Sequence, residues 1–196
     1  MAGLRERKKE HVRSTIQQVA LRLFLEQGYE ETTVDQIAAA AEVSPATVYR
    51  YFMSKEDLVI TDDYDPIFIA SLLERPPGEP LIESVRAVMI GVLVKYMERD
   101  RELLLARHQL RRKTATLQAA FLEEQERSLE LFSALVARHV RRPADDPDVR
   151  IACGALVGAL QEAFRSWVAQ GAKGGEQGIR ALLDHAIDRV ESALRF

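Results

Sequence analysis

The sequence predicts an all-α fold: a small N-terminal three-helix module followed by a larger domain of antiparallel helices. Three observations lead there. Apolar residues recur at three- and four-residue spacing through most of the 196 residues, which is the repeat of an amphipathic helix. No stretch alternates apolar and polar residues convincingly, and β-branched runs are few. Proline and glycine gather at a few breaks and divide the chain into segments of helical length.

The elements follow in order. Over residues 5–27, Val12, Ile16, Val19, Ala20, Leu23 and Phe24 form one stripe, and Gly28 stands where a left-handed helix terminus is cheapest. Thr33 with Gln36 has the form of a capping box and opens a short helix over 34–40 that buries Val34, Ile37, Ala38 and Ala41. Glu42-Val43 makes a tight turn. Ser44-Pro45 then starts a two-turn helix over 45–52, with an N-cap hydroxyl and a proline at the first helical position. So short a helix needs tertiary packing, here from Val48 and Phe52. Ser54 caps a helix over 55–63. Asp65-Pro66 starts the next, which ends before Arg75-Pro76-Pro77-Gly78. Further helices are expected over 81–99, 101–112, 114–141, 148–170 and 177–194, with breaks at 142–147 and 171–175. The domain boundary falls at residue 60, giving 1–60 and 61–196.

Composition narrows the function classes. Hydrophobic residues make up 47% and charged residues 29%, a globular balance. The longest apolar-and-small run is residues 151–160, about half of what a membrane-spanning helix needs. No export signal is visible in the first 25 residues. The single cysteine, Cys153, excludes an intrachain disulfide and a multi-cysteine zinc site. A cytoplasmic location is the default. Net charge is −3, yet residues 1–13 carry Arg5, Arg7, Lys8, Lys9 and Arg13 against two acids, a basic end able to touch phosphates. Neither a nucleophile elbow, a zinc-protease HExxH nor a phosphate-binding glycine loop occurs, and the four histidines are scattered. The expectation is a non-enzyme with no cofactor and no metal.

Residues 33–52 read helix, turn, short helix. This helix-turn-helix arrangement can lay its second helix in a DNA major groove, which is about 12 Å wide. Spacing alone leaves open a plain pair of packed helices. On the DNA reading the outward residues are Ala46, Thr47, Arg50 and Tyr51, with Tyr49 at the edge. Threonine hydroxyls and an arginine guanidinium can bond base edges. Tyrosine hydroxyls and Lys55 can reach phosphates, as can the helix N-termini at Ser44 and Thr33.

The literal residues Gly28-Tyr29-Glu30-Glu31-Thr32-Thr33-Val34-Asp35-Gln36-Ile37-Ala38, Ala41-Glu42-Val43-Ser44-Pro45-Ala46-Thr47-Val48-Tyr49-Arg50-Tyr51-Phe52 and Ser54-Lys55-Glu56-Asp57-Leu58 closely resemble the N-terminal signature of TetR-family transcriptional regulators. The resemblance implies a homodimer that binds a quasi-palindromic DNA operator, usually as a repressor, and is released by a small molecule. It assigns Thr33, Tyr49, Tyr51 and Lys55 to the DNA backbone, and Ala46, Thr47 and Arg50 to base edges or backbone. Glu42 departs from the glycine common in that turn. A second resemblance is to the branch with mycofactocin-type regulators. It rests on Arg107-His108, Leu117, Phe121 and Ala163-Phe164-Arg165-Ser166-Trp167, and implies an apolar or acyl-CoA-like effector.

In the larger domain, Gly154, Ala155, Gly158 and Ala159 line one side of the penultimate helix, and Ile179, Leu183, Ile187 and Val190 stripe the last one. Paired across a two-fold they would form a four-helix bundle between subunits; the same stripes would equally serve an intramolecular core. An apolar pocket needs large or flexible walls and a few polar groups. Candidates are Phe68, Met89, Tyr96, Met97, His108, Phe121, Gln125, Phe164 and Trp167. The rival reading is a helical protein-binding adaptor whose helix-turn-helix is purely structural.

Overall fold

The computed structural model describes residues 4–61, 64–76 and 79–194. Asp62, Asp63, Pro77 and Gly78, expected at a helix end and a break, lie outside the described residues, as do the side chains of Arg5, Arg7 and Tyr96. Helices make up the chain, with no strand among the described residues. They are α1 Leu4–Gln27, α2 Val34–Ala40, α3 Pro45–Tyr51, α4 Asp57–Ile60, α5 Tyr64–Leu73, α6 Leu81–Val88, α7 Val94–Arg99, α8 Arg101–Lys113, α9 Ala115–His139, α10 Pro147–Ala169 and α11 Gly175–Leu194. None is long and apolar enough to cross a membrane among the described residues.

The helix expected over 81–99 is interrupted. Residues Met89–Leu93 form one wider π turn between α6 and α7, which inserts a residue into the helical repeat. The helix expected over 55–63 is shorter as well, since regular α geometry covers only Asp57–Ile60.

The chain packs as two compact units, one of Met1–Asp62 with Glu102–Glu124, the other of Asp63–Arg101 with Gln125–Phe196. The first unit is built on the stripe of α1. Ile16, Ala20, Leu21 and Phe24 meet Ile37, Ala38, Val48, Phe52 and Leu58, all at most 2% exposed. Leu110 of α8 and Leu117 of α9 complete this core. By packing, then, residues 102–124 group with the N-terminal helices, whereas the sequence places its functional boundary at residue 60.

In the second unit, α10 and α11 pack against each other; Cys153, Leu156, Ala163 and Trp167 of α10 and Ile179, Leu183 and Ile187 of α11 are all buried. Arg86 of α6 forks between Asp184 at 2.9 Å and Asp188 at 2.6 Å and fixes α6 along α11. Burial pushes the Cys153 thiol up, against the opposing pull of a hydrogen bond with Ser133, so the thiol is protonated and unreactive near neutrality.

The turn between α2 and α3 is drawn by one left-handed residue. Glu42 has φ 55°, and the Val43 amide returns to the Ala38 carbonyl at 2.9 Å. A side chain pays roughly 1 kcal/mol for this conformation where glycine does not. Glu42→Gly is therefore expected to raise stability by about 0.5–1 kcal/mol. Chemical denaturation would show it as a higher midpoint at constant m value.

Candidate nucleic-acid interface

Local chemistry sets the two helices. Thr33 accepts from the Gln36 amide at 3.2 Å, while the Gln36 side chain accepts from the Thr33 amide at 2.8 Å. Ser44 accepts from the Thr47 amide at 3.1 Å, its hydroxyl 2.9 Å from that of Thr47, and Pro45 follows at the first helical position. Both helix starts are thus closed by side-chain oxygens, as the sequence predicts. After α3 a further reciprocal pair fixes the chain. The Asp57 carboxylate accepts from the Met53 and Ser54 amides at 2.9 and 3.1 Å, and the Ser54 hydroxyl accepts from the Asp57 amide at 3.1 Å.

With Val48 and Phe52 turned into the core, α3 shows its other side to solvent. Ser44, Ala46, Tyr49 and Arg50 are exposed, Tyr49 at 55%, and Thr47 and Tyr51 are half-buried. Thr33 is exposed at the start of α2. Arg50 lies over the Tyr51 ring at 5.4 Å. Lys55 is held over the Tyr29 ring at 4.3 Å and donates to the Glu30 carbonyl at 3.4 Å. Of the eight predicted DNA-binding residues, Ala46, Thr47, Tyr49, Arg50 and Tyr51 lie on α3, Thr33 and Ser44 cap α2 and α3, and Lys55 lies in the turn between α3 and α4.

Tyr29 is a supporting residue that sequence reasoning missed. It is 5% exposed and donates to Glu56 at 2.8 Å. Burial, then the Glu56 hydrogen bond, pushes its phenol well above the usual range. Burial works against the charged form of Glu56. Its backbone hydrogen bond and those of Tyr29 and Ser54 outweigh that and hold its carboxyl below its usual value. A neutral ring is therefore fixed under the Lys55 ammonium, a cation–π contact that orients the charge. The legible signal was Tyr29 beside Gly28, five residues after the core residue Phe24.

Eight of the nine effector candidates have described side chains; that of Tyr96 lies outside them. In the first unit, His108 is 9% exposed, with Nδ1 3.1 Å from the Arg111 guanidinium, which itself lies 3.6 Å over the Phe121 ring. Arginine only donates, so His108 accepts at Nδ1 and carries its proton on Nε2. In the second unit, Phe68 meets Phe132 edge-on at 5.7 Å, and Phe164 lies 6.0 Å from Trp167. Met89 is buried, and Met97 and Gln125 are half-buried. Trp167 is 1% exposed and its buried indole N–H has no hydrogen-bond partner. A buried donor left unpaired costs about 1–3 kcal/mol, which makes it a place where an added acceptor gains.

The expected interface residues divide. On α10, Gly154 and Ala159 are half-buried and Ala155 and Gly158 exposed, next to Ile151 at 65% exposure. On α11, Ile179, Leu183, Ile187 and Val190 are 7% exposed or less within a single chain. Within the single chain their stripe packs inside the second unit.

Residues 16–61 match the profile of bacterial regulatory proteins of the tetR family, and residues 79–195 match that of the MftR C-terminal domain. Over 151 residues the chain is 36% identical to the HTH-type transcriptional regulator TcmR of Streptomyces glaucescens, spanning 74% of this chain and 67% of that protein. Among solved structures, the fatty acid degradation regulator FadR from Bacillus halodurans superimposes with a TM-score of 0.64 at 23% identity, covering 94% of this chain and 96% of that one. FadR from Bacillus subtilis in complex with stearoyl-CoA superimposes with a TM-score of 0.59 at 21% identity, covering 90% and 96%. At such identities the likeness is one of fold.

Proposed function

The chain belongs to the tetR family of bacterial regulatory proteins, and from that premise we propose that it is a transcriptional repressor which binds a quasi-palindromic operator as a homodimer and is released by an apolar or acyl-CoA-like effector. Residues 1–60 read the DNA and residues 61–196 bind the effector and dimerise. One observation carries the DNA part: α3 is capped, two turns long, packed on one side and open on the other, with Ala46, Tyr49 and Arg50 exposed and Thr47 half-buried. That is the shape a recognition helix needs. The small-residue face of α10, with Ala155 and Gly158 exposed, is the surface that would meet the second copy. The match to the MftR C-terminal domain, the stearoyl-CoA complex of a structural relative and the unpaired Trp167 N–H support the effector class.

Selection of binding sites from random duplex DNA tests this directly. The expected result is an inverted repeat with half-sites about one helical turn, or 34 Å, apart, bound by a dimer in native mass spectrometry. Stearoyl-CoA is then expected to weaken binding to the selected duplex, and by linkage DNA weakens stearoyl-CoA binding equally. No enrichment of any sequence would overturn the DNA reading, and enrichment without any acyl-CoA response would overturn the effector class alone.

The same assay yields a residue-level prediction. If the indole N–H bonds the effector, Trp167→Phe raises the stearoyl-CoA concentration needed for release about three- to tenfold, the worth of one hydrogen bond. Unchanged release would confine Trp167 to the core.

A further inference from the structure

Gln17 is the one amide in the buried stripe of α1. It is 4% exposed, between Ile16 at 0% and Ala20 at 0%. Its side-chain nitrogen donates twice, to the Leu58 carbonyl at 3.2 Å and to the Thr61 carbonyl at 2.7 Å. These carbonyls lie within and just past α4, at the end where a helix leaves its acceptors without internal partners. A helix of one turn has no stability of its own. Leu58 and Val59, 0% and 2% exposed, hold α4 by packing on one side, and the Gln17 amide holds its outgoing end. Thr61 is the last described residue before the second unit begins at Asp63.

We propose that Gln17 is a positioning residue: its amide latches the end of α4 to α1 and so fixes the direction in which the chain leaves the DNA-reading unit. An apolar side chain there would fill the same space, so the amide is not needed for packing. What it adds is directional, because both of its donors are spent on the backbone of one short segment. Any signal that reaches the recognition helix through the covalent chain at residue 61 passes this latch. Its consequence for DNA rests on the function proposed above; the latch itself does not.

The test replaces Gln17 with leucine and with methionine, which keep the volume and remove both donors. Amide hydrogen exchange is followed in the full-length chain. The Ile60 and Thr61 amides, which bond the Glu56 and Asp57 carbonyls, are expected to exchange at least tenfold faster, while the Val48 and Phe52 amides of α3 keep their protection. Affinity for the selected duplex is expected to fall threefold or more. Gln17→Glu offers a check that a purely structural role would not pass. Ionised, it has no donor and its charge faces two carbonyl oxygens, so Thr61 loses at least as much protection as with leucine; protonated at acidic pH it regains one donor, and protection at Thr61 returns in part. Unchanged exchange at Ile60 and Thr61, or faster exchange spread evenly over α1 to α4, overturns the latch. Faster exchange confined to α4 with unchanged duplex affinity overturns its role in positioning for DNA. If the wild-type chain selects no DNA, the function above fails while the exchange data still decide whether the latch exists.

Discussion

Gly178→Ala is expected to be strongly destabilising for a single added methyl, lowering Tm by about 2–12 °C. In an ordinary helix the same substitution stabilises, because alanine is the better helix former by about 1 kcal/mol. Here a Cβ on residue 178 would stand 2.2 Å from the Lys173 carbonyl oxygen and 3.2 Å from its carbon. Neither atom belongs to a side chain that can swing away. The turn that carries Lys173 is fixed by left-handed conformations at Gly171, Ala172, Gly174 and Gly175. The Gly171 and Ala172 amides bond back to Val168 and Trp167, both at 2.9 Å, and the Gly178 amide bonds to Gly174 at 3.0 Å. The Trp167 indole nitrogen waits 3.5 Å from the new methyl on another side. Relief must come from moving the start of α11 relative to α10. Overpacking of this kind costs about 1–3 kcal/mol, and each kcal/mol moves Tm by about 2–4 °C at this chain length. Gly91→Ala is the internal control. Nothing lies within 4 Å of its added methyl in the single chain, so the intrinsic preference wins and stability rises by up to about 1 kcal/mol. Calorimetry on the two variants side by side reads both signs. A Gly178→Ala protein as stable as wild type would mean that the close approach of Lys173 is not kept in solution.

What the sequence disclosed was whatever is decided within a few residues. Thr33 with Gln36, Ser44 with Pro45, and Gly28 announce the helix-turn-helix because caps and terminators are local chemistry. Glu42, noted through the resemblance as a departure from the glycine common in that turn, has positive φ. The losses come from longer range. The stripe of Ile179, Leu183 and Ile187 shows that a face of α11 is buried, but periodicity carries no information on whether the cover comes from the same chain or another. The π turn at Met89–Leu93 changes the repeat for a single turn, too short to register in a run that is apolar on several sides. Leu110 and Leu117 join a core some 50 residues upstream or more, a pairing no local pattern encodes. Gln17 reads as a blemish in an amphipathic stripe until its two acceptors, 41 and 44 residues away, are in view. For the candidate site the outcome divides along the same line. The eight DNA-binding candidates share the short segment 33–55, whereas the effector candidates, drawn from residue type and from the second resemblance, are spread along the sequence from Phe68 to Trp167.

Arg50→Ala is expected to weaken binding to the selected operator by about fivefold to 150-fold, equivalent to ~1–3 kcal/mol for an arginine on a base edge, and to flatten the preference at one position of each half-site. The variant remains folded, since Arg50 is exposed on α3 and changes at such sites shift stability by about 0.5 kcal/mol or less. Lys55→Ala provides the contrast. Its ammonium sits over Tyr29 beside the start of α2, where it can meet a phosphate and no base. Losing it weakens specific and random DNA alike. It also reduces the slope of log K against log salt by about 0.9 per subunit, the counterion-release value for one phosphate contact. Tyr49→Phe removes a hydroxyl from a 55% exposed ring and should follow the Lys55 pattern on a smaller scale. The measurement is fluorescence anisotropy of the three variants on operator and on scrambled duplex at several salt concentrations. Affinity alone cannot separate a base contact from a phosphate contact, because either loss makes binding weaker. The ratio of operator to scrambled affinity and the salt slope separate them, since the first moves only for a base reader and the second for a phosphate anchor. Arg50→Ala that lowers both affinities equally would reassign Arg50 to the backbone, and unchanged operator affinity in all three variants would remove α3 from the groove.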